Sequence, residues 1–309
     1  MSTLPEVLDF DEFFTLRRRL ALRDAVGGQE GVEKILSGKY EVQMIEKILP
    51  LVDHTGRLIP THLGVTKAVC DENRNFRLNR TEFGIGFYAD ILARFQQFFP
   101  ADTVFVSAEE FVKRAEAAKV ALLKNPLLAN LFNRAAWLLP LPQYDVQDMG
   151  RSMQEFFLLA AAAAYANQFP KRKFNNYCGE MTGKILPLAD YNGYDQFIAI
   201  MKSGPGVAWY FPNPMQGFSM DAQREAGKFL RSYNLTLNGP IEPMLALVGF
   251  TAEMGRDFHT PGYDCPATSW RSAGSSLYFG AYDGGFCVRD SGYLDAASGR
   301  SSGGLVLLG

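Results

Sequence analysis

Apolar positions recur at helical spacing through the first half of the chain and give way to short alternating runs towards its end. Within residues 1–40, Phe10, Phe13, Phe14 and Leu20 fall at helix-like intervals, Gly27-Gly28 marks a stop, and a short second helix is expected over 29–36. The apolar run 45–52, closed by Asp53-His54-Thr55-Gly56, predicts a helix end leading into a short strand and a turn. Ser107-Ala108-Glu109-Glu110 reads as a capping box, in which the serine oxygen accepts from the N3 amide and Glu110 reaches back. Phe111, Ala115, Ala118 and Leu122 then share one helix face. A second box, Ser152-Met153-Gln154-Glu155, predicts a helix over 153–169 ended by Pro170, with a centre (158–166) apolar almost all round and therefore expected to be buried. A third helix is expected from Ser219 to about residue 230.

Beyond Pro170 turn signals crowd together: Tyr191-Asn192-Gly193, Ser203-Gly204-Pro205-Gly206, Asn213-Pro214, Asn238-Gly239-Pro240 and Thr260-Pro261-Gly262. Strand candidates such as 207–211 lie between them. There is no internal repeat and no flexible linker. The expected organisation is a helical segment, 1–40, followed by one elaborated α+β domain, 41–309.

The final residues carry the clearest β pattern. Leu277, Phe279 and Ala281 alternate with Tyr278, Gly280 and Tyr282, the period of a strand with one buried face. Asp283-Gly284-Gly285 supplies a hairpin turn, glycine accepting the positive φ such turns require. Phe286 and Val288 then alternate with Cys287 and Arg289. A second turn region, 290–292, leads to Tyr293-Leu294-Asp295, and the chain closes with an apolar strand over 305–308. Leu277, Phe279, Ala281, Phe286, Val288 and Leu294 are expected inside.

Composition sharpens this ending. Residues 271–309 hold 9 of the 29 glycines. Lys, Glu, Gln, Met and Trp together supply 52 of the 309 residues but none of these 39. Those five types are the ones that codons ending in a pyrimidine cannot encode, so their joint absence matches a surface rewritten through adenines in AAY codons.

Charge and chemistry narrow the function. A formal net charge of −2 and a pI near 6.0 argue against a nucleic-acid grip, and Arg17-Arg18-Arg19 and Lys171-Arg172-Lys173 are the only basic runs. Cys70, Cys178, Cys265 and Cys287 are too scattered for a zinc signature or a disulfide framework. His54, His62 and His259 show no metal-ligand spacing. Walker, GxGxxG and GxSxG signatures are absent. Cys178 is expected to be a buried small side chain, and Asp257, His259 and Asp264 to belong to a hydrogen-bonded loop. No export signal and no apolar stretch of membrane-spanning length is read, which leaves the location open, cytoplasmic by default.

Trp270-Arg271-Ser272, Ser276-Leu277-Tyr278-Phe279, Asp283-Gly284-Gly285 and the ending Gly299-Arg300-Ser301-Ser302-Gly303-Gly304-Leu305 resemble the variable region of the target proteins of diversity-generating retroelements. The stretches 211–218 and 257–265 resemble bacterial proteins without assigned function. The resemblance implies an elaborated C-type-lectin-like fold of the formylglycine-generating-enzyme type, with N-terminal helices and an antiparallel β variable region over 270–306. It further implies a non-enzymatic protein that binds a protein or other macromolecule, with neither nucleic acid nor membrane as partner. The positions that would vary and touch ligand are Ser275, Tyr278, Gly280, Tyr282, Gly285, Cys287, Arg289, Asp290, Ser291, Tyr293, Asp295, Ala296, Arg300 and Ser301. Tyr278, Tyr282 and Tyr293 would be aromatic anchors, and Arg289, Asp295 and Arg300 polar contacts, the chemistry of adaptable paratopes. No cofactor is called for; bound calcium or magnesium is left open. The alternatives are a cysteine-dependent enzyme related to formylglycine-generating enzymes, which needs two cysteines or a cysteine and a histidine in one pocket, and an ordinary structural or interaction protein.

Overall fold

The computed structural model describes residues 16–41, 49–79, 87–188 and 193–309. The chain divides into two compact units, residues 1–48 and 49–309. In the first, helices Leu16–Ala25 and Gly28–Leu36 meet at Gly27 and Gly28, whose φ of 94° and 70° end one helix and start the next. The expected stop and second helix are both present. Phe10, Phe13, Phe14, the start of the 45–52 run and the 191–192 turn lie outside the described residues.

The second unit is α+β. Its strands are β1 (Trp137–Leu141), β2 (Lys173–Asn176), β3 (Ile185–Pro187), β4 (Gly206–Phe211), β5 (Leu235–Leu237), β6 (Gly262–Asp264), β7 (Thr268–Trp270), β8 (Ser276–Tyr282), β9 (Gly285–Ser291), β10 (Ser301–Gly303) and β11 (Leu305–Leu308). They form an antiparallel sheet in the order β1-β4-β11-β5, a mixed sheet in the order β10-β6-β8-β9-β2, and the pair β3-β7. Every residue of β4 is buried, because it lies between β1 and β11 and is covered by helix Ala108–Leu123, to which Trp209 Nε1 donates at the Ala115 carbonyl (2.9 Å). Helix Ile241–Gly249 is buried at all nine positions and packs against β1 and helix Leu158–Gln168.

The mixed sheet turns Leu277, Phe279, Ala281, Phe286 and Val288 inward, all buried, and the Tyr165 ring of helix Leu158–Gln168 packs 5.9 Å from that of Phe286. Leu294 is buried too, so the expected inner set is intact. The last strand is not an edge: β11 pairs with both β4 and β5. Chain passing from β10 to β11 therefore joins the two larger sheets. Glycine is required there, since a Cβ on Gly304 would stand 2.3 Å from the Tyr210 ring.

Several local expectations hold and several need correction. Ser107 caps its helix by accepting from the Glu110 amide (3.2 Å), while the Glu110 carboxylate pairs with Lys113 (3.5 Å). Ser152 caps nothing. The helix begins earlier, at Met149, with Asp148 accepting from the Arg151 amide (2.7 Å), and passes through a π-helical stretch, Met153–Phe157, into Leu158–Gln168. Nor is its centre buried all round: Leu159, Ala163 and Ala166 are exposed, and small alanines make such an open face inexpensive. Helices Tyr194–Ser203 and Ile241–Gly249 are additions to the expected set; the second has no polar face to create a helical period. At the β8–β9 hairpin neither Asp283 nor Gly284 has positive φ. Glycine is needed one residue later, where a Cβ on Gly285 would stand 1.9 Å from the Lys173 carbonyl oxygen.

Ser219, where the third helix is expected to start, is the N-cap of helix Met220–Leu230, accepting from the Ala222 amide (3.1 Å). Ser219→Ala is expected to lower unfolding stability by about 1 kcal/mol, read as a shift of the urea midpoint at constant slope.

Candidate ligand-binding face

The outer face of the mixed sheet is laid out by its register. One row runs Asp264, Tyr278, Arg289 across β6, β8 and β9; the next runs Gly280, Cys287, Asn175 across β8, β9 and β2. Tyr278 does not stand away from the sheet. Its ring lies across Gly262 and Gly280, where an added Cβ would come within 2.1 Å and 3.0 Å of the phenol oxygen. Burial accordingly pushes the phenol of Tyr278 up to about 12.

Of the residues expected to vary, Arg289, Asp290, Tyr293, Asp295 and Ala296 are exposed, Tyr293 at 81%. Ser275, Tyr278, Tyr282, Ser291, Arg300 and Ser301 are half-buried. Gly280, Gly285 and Cys287 are buried, contrary to the outward role expected of them, because the Tyr278 ring lies over Gly280 and strand β2 pairs closely beside Gly285 and Cys287. The Cys287 thiol points back to the Gly280 carbonyl (3.4 Å).

Five of the fourteen converge. Tyr278, Ser291, Tyr293, Ala296 and Ser301 line one pocket of about 170 Å³, together with Phe218, Met220, Asp264 and Ser298. Asp264 is the acidic group of that lining and is itself buried. Its Oδ2 accepts from Gln223 Nε2 (2.7 Å), and Ser301 also hydrogen-bonds it. Burial raises its carboxyl to about 6 against the opposing pull of those two bonds.

Beside the pocket lies a second group. Arg289 sits over the exposed Tyr177 ring (5.1 Å), and Tyr282 Oη accepts from Asn175 Nδ2 (2.5 Å). Arg300 does not reach outward as a polar contact; its guanidinium packs on Phe258 (4.0 Å) and Phe76 (5.1 Å). Ser275 turns its hydroxyl to the Trp270 carbonyl. Asp264, Phe218, Met220, Asn175 and Tyr177 come from outside residues 270–306. Along the chain Asp264 reads only as part of a loop, and its place on this face depends on β6 pairing with β8, which spacing does not reveal.

Three of the four cysteines, Cys178, Cys265 and Cys287, are buried thiols and Cys70 is exposed; all four are free. Burial pushes Cys178 up to about 12, helped by nearby Asp290, and it raises Cys265 and Cys287 as well. Such thiols hold little nucleophilic thiolate. His62 Nδ1 lies 2.6 Å from the Pro50 carbonyl, and the His259 ring packs against Phe76 and Phe258. Asp257 accepts from the His259 amide (2.8 Å), which makes that loop the hydrogen-bonded turn expected, with Asp264 apart from it on β6. Among the described residues no group of three His, Cys, Asp or Glu side chains is placed to hold a metal ion, and no helix is long and apolar enough to cross a membrane.

No family model matches the chain, and neither a curated protein nor a solved structure matches it.

Proposed function

We propose that this protein is a non-enzymatic binder whose residues 271–306 display a diversified surface to a protein or other macromolecular ligand. The scaffold is read as an elaborated C-type-lectin-like fold, and the diversification as that of a retroelement target protein. One observation carries the reading: Tyr278, Ser291, Tyr293, Ala296 and Ser301 meet in a single pocket while their sequence neighbours Leu277, Phe279 and Leu294 are buried. A surface can be rewritten at the first set without touching the second, whose packing tolerates little change. Protonated thiols at Cys178, Cys265 and Cys287 favour binding over cysteine-dependent catalysis.

Sequencing many copies of the gene and its flanking DNA tests the reading. Changes are expected at Tyr278, Arg289, Asp290, Ser291, Tyr293, Asp295, Ala296 and Ser301, as adenine-directed differences from a nearby template repeat. Gly285 is expected to stay constant, because any side chain there meets the Lys173 carbonyl. Substitutions spread evenly over inward and outward positions, with no template repeat, would sink the diversification.

A further inference from the structure

Asp264 lies on β6, outside the diversified residues, and yet it lines the pocket that they wall. Among the described residues this buried carboxylate is faced by neutral groups. Gln223 and Ser301 hydrogen-bond it, and the Tyr278 phenol, the Tyr210 phenol and the Cys265 thiol around it all have raised pKa values and remain uncharged between pH 5 and 8. Arg300 and Arg289, on adjoining elements, pull the Tyr278 phenol down against its burial, but the influences on Asp264 are burial, Gln223 and Ser301 alone, and Arg289 sits over the Tyr177 ring. Arg300 packs on Phe258 and Phe76, and Arg224 donates to the carbonyls of Pro266 and Thr268. A buried carboxylate without a countercharge is costly, and the cost falls when a ligand brings the charge.

The shape of the site restricts that ligand. At about 170 Å³ the pocket is below the ~300–1,000 Å³ of sites for whole drug-sized molecules, so it admits the end of a chain. Phe218, Met220, Tyr278 and Tyr293 offer apolar and aromatic walls for an alkyl stem, while Ser291 and Ser301 offer hydroxyl acceptors. A guanidinium prefers a carboxylate presenting both oxygens, and Oδ2 of Asp264 is already taken by Gln223. An ammonium, a compact charge with three donors, is not so constrained.

We propose that this pocket binds a primary alkylammonium group, with Asp264 as the constant anchor beneath variable walls. The proposal rests on the reading of this face as a binding surface. A lysine side chain of a protein partner and a free small amine share this chemistry. Binding requires ionised Asp264, so it strengthens as pH rises through about 6 and weakens below.

Calorimetric titration of the whole protein with n-butylammonium and with n-butanol at pH 7.5 and 5.0 tests it. The ammonium is expected to bind at pH 7.5 at least tenfold more tightly than the alcohol, and to lose at least tenfold at pH 5.0. Asp264→Asn is expected to abolish the preference for the charged probe. Ala296→Phe, at an exposed position of the pocket wall, is expected to block binding even if Asp264→Asn does not fold. An Nα-acetyl-lysine methylamide that binds more tightly than cadaverine assigns the site to a protein side chain; the reverse order assigns it to a free amine. Equal binding of butanol and butylammonium, or pH-independent binding, overturns the proposal. That failure would leave the codon pattern of residues 271–306 untouched, so it is distinct from failure of the diversification itself.

Discussion

Asn238→Ala is expected to lower unfolding stability by on the order of 3 kcal/mol. Asn238 is completely buried, and its amide joins three segments distant in sequence. Oδ1 accepts from the Gly304 amide (2.5 Å), and Nδ2 donates to the carbonyls of Asp264 (3.0 Å) and Gly239 (2.9 Å). Its own backbone amide donates to the Gly304 carbonyl (3.1 Å), so the residue clamps the crossing from β10 to β11 from both sides. Alanine would take the side-chain partner from the buried Gly304 N–H and from the carbonyls of Asp264 and Gly239, each unsatisfied group costing roughly 1–3 kcal/mol. Asn238→Asp keeps the acceptor for Gly304 but loses the donor to Asp264 and adds buried charge, so it is expected to cost at least as much at neutral pH. Urea unfolding of the two variants checks this. A midpoint within error of the parent for Asn238→Ala would show that the clamp contributes little.

Glu242→Gln is expected to change the pH dependence of stability and to raise stability at alkaline pH. Glu242 stands in the first turn of the buried helix Ile241–Gly249, where Oε2 accepts from Tyr194 Oη (3.0 Å) and the Gly239 amide (3.1 Å). Oε1 is buried without a hydrogen-bond partner among the described residues. Burial raises the carboxyl from 4.5 to about 8, outweighing those two hydrogen bonds. The folded state therefore holds a proton that the unfolded chain releases near pH 4.5. The resulting stability is fully present below that pH, declines as pH rises, and is gone once pH passes about 8. Asp264, raised from 3.8 to about 6, acts in the same direction over a lower window. A tenfold difference in proton affinity between the folded and unfolded states corresponds to about 1.4 kcal/mol, so removing the titration at Glu242 is worth on the order of a few kcal/mol at pH 9. Near pH 5 glutamine and protonated glutamate should differ little. Urea midpoints from pH 5 to 9 check this: the parent should fall more steeply than Glu242→Gln, and parallel profiles would show that Glu242 does not titrate in this range.

The two residues with these effects carry no signal of their own in the chain. Asn238 belongs to Asn238-Gly239-Pro240, which reads as a turn, and Glu242 opens a helix whose nine buried residues show no amphipathic period. Ser107, in contrast, is readable because a cap acts within one turn of chain. Ser152 has the same local pattern and fails. Asp148 begins that helix earlier, and Ser152 is enclosed within it. Local patterns compete, and packing chooses among them.

At the candidate site the division follows the same rule. Alternation along β8 and β9 is enough to separate Leu277, Phe279, Ala281, Phe286 and Val288 from the face above them, since side chains on a strand change sides at every residue. It cannot say which outward positions are open. Gly280, Gly285 and Cys287 point to that face but are covered, because the Tyr278 ring, the Lys173 carbonyl and strand β2 occupy the space above or beside them.

The sequence by itself therefore determined that the ending of this protein is a β hairpin with one apolar face and a glycine-, serine- and tyrosine-rich outer one. That information is local, set by a two-residue period and by the absence of five residue types. Only the tertiary structure decided that β11 crosses into the other sheet, that Tyr278 lies down over two glycines, and that Asp264 from β6 lines a pocket walled by residues of β8, β9 and β10. Those facts depend on which strands become neighbours, and strand pairing joins residues that no spacing along the chain connects.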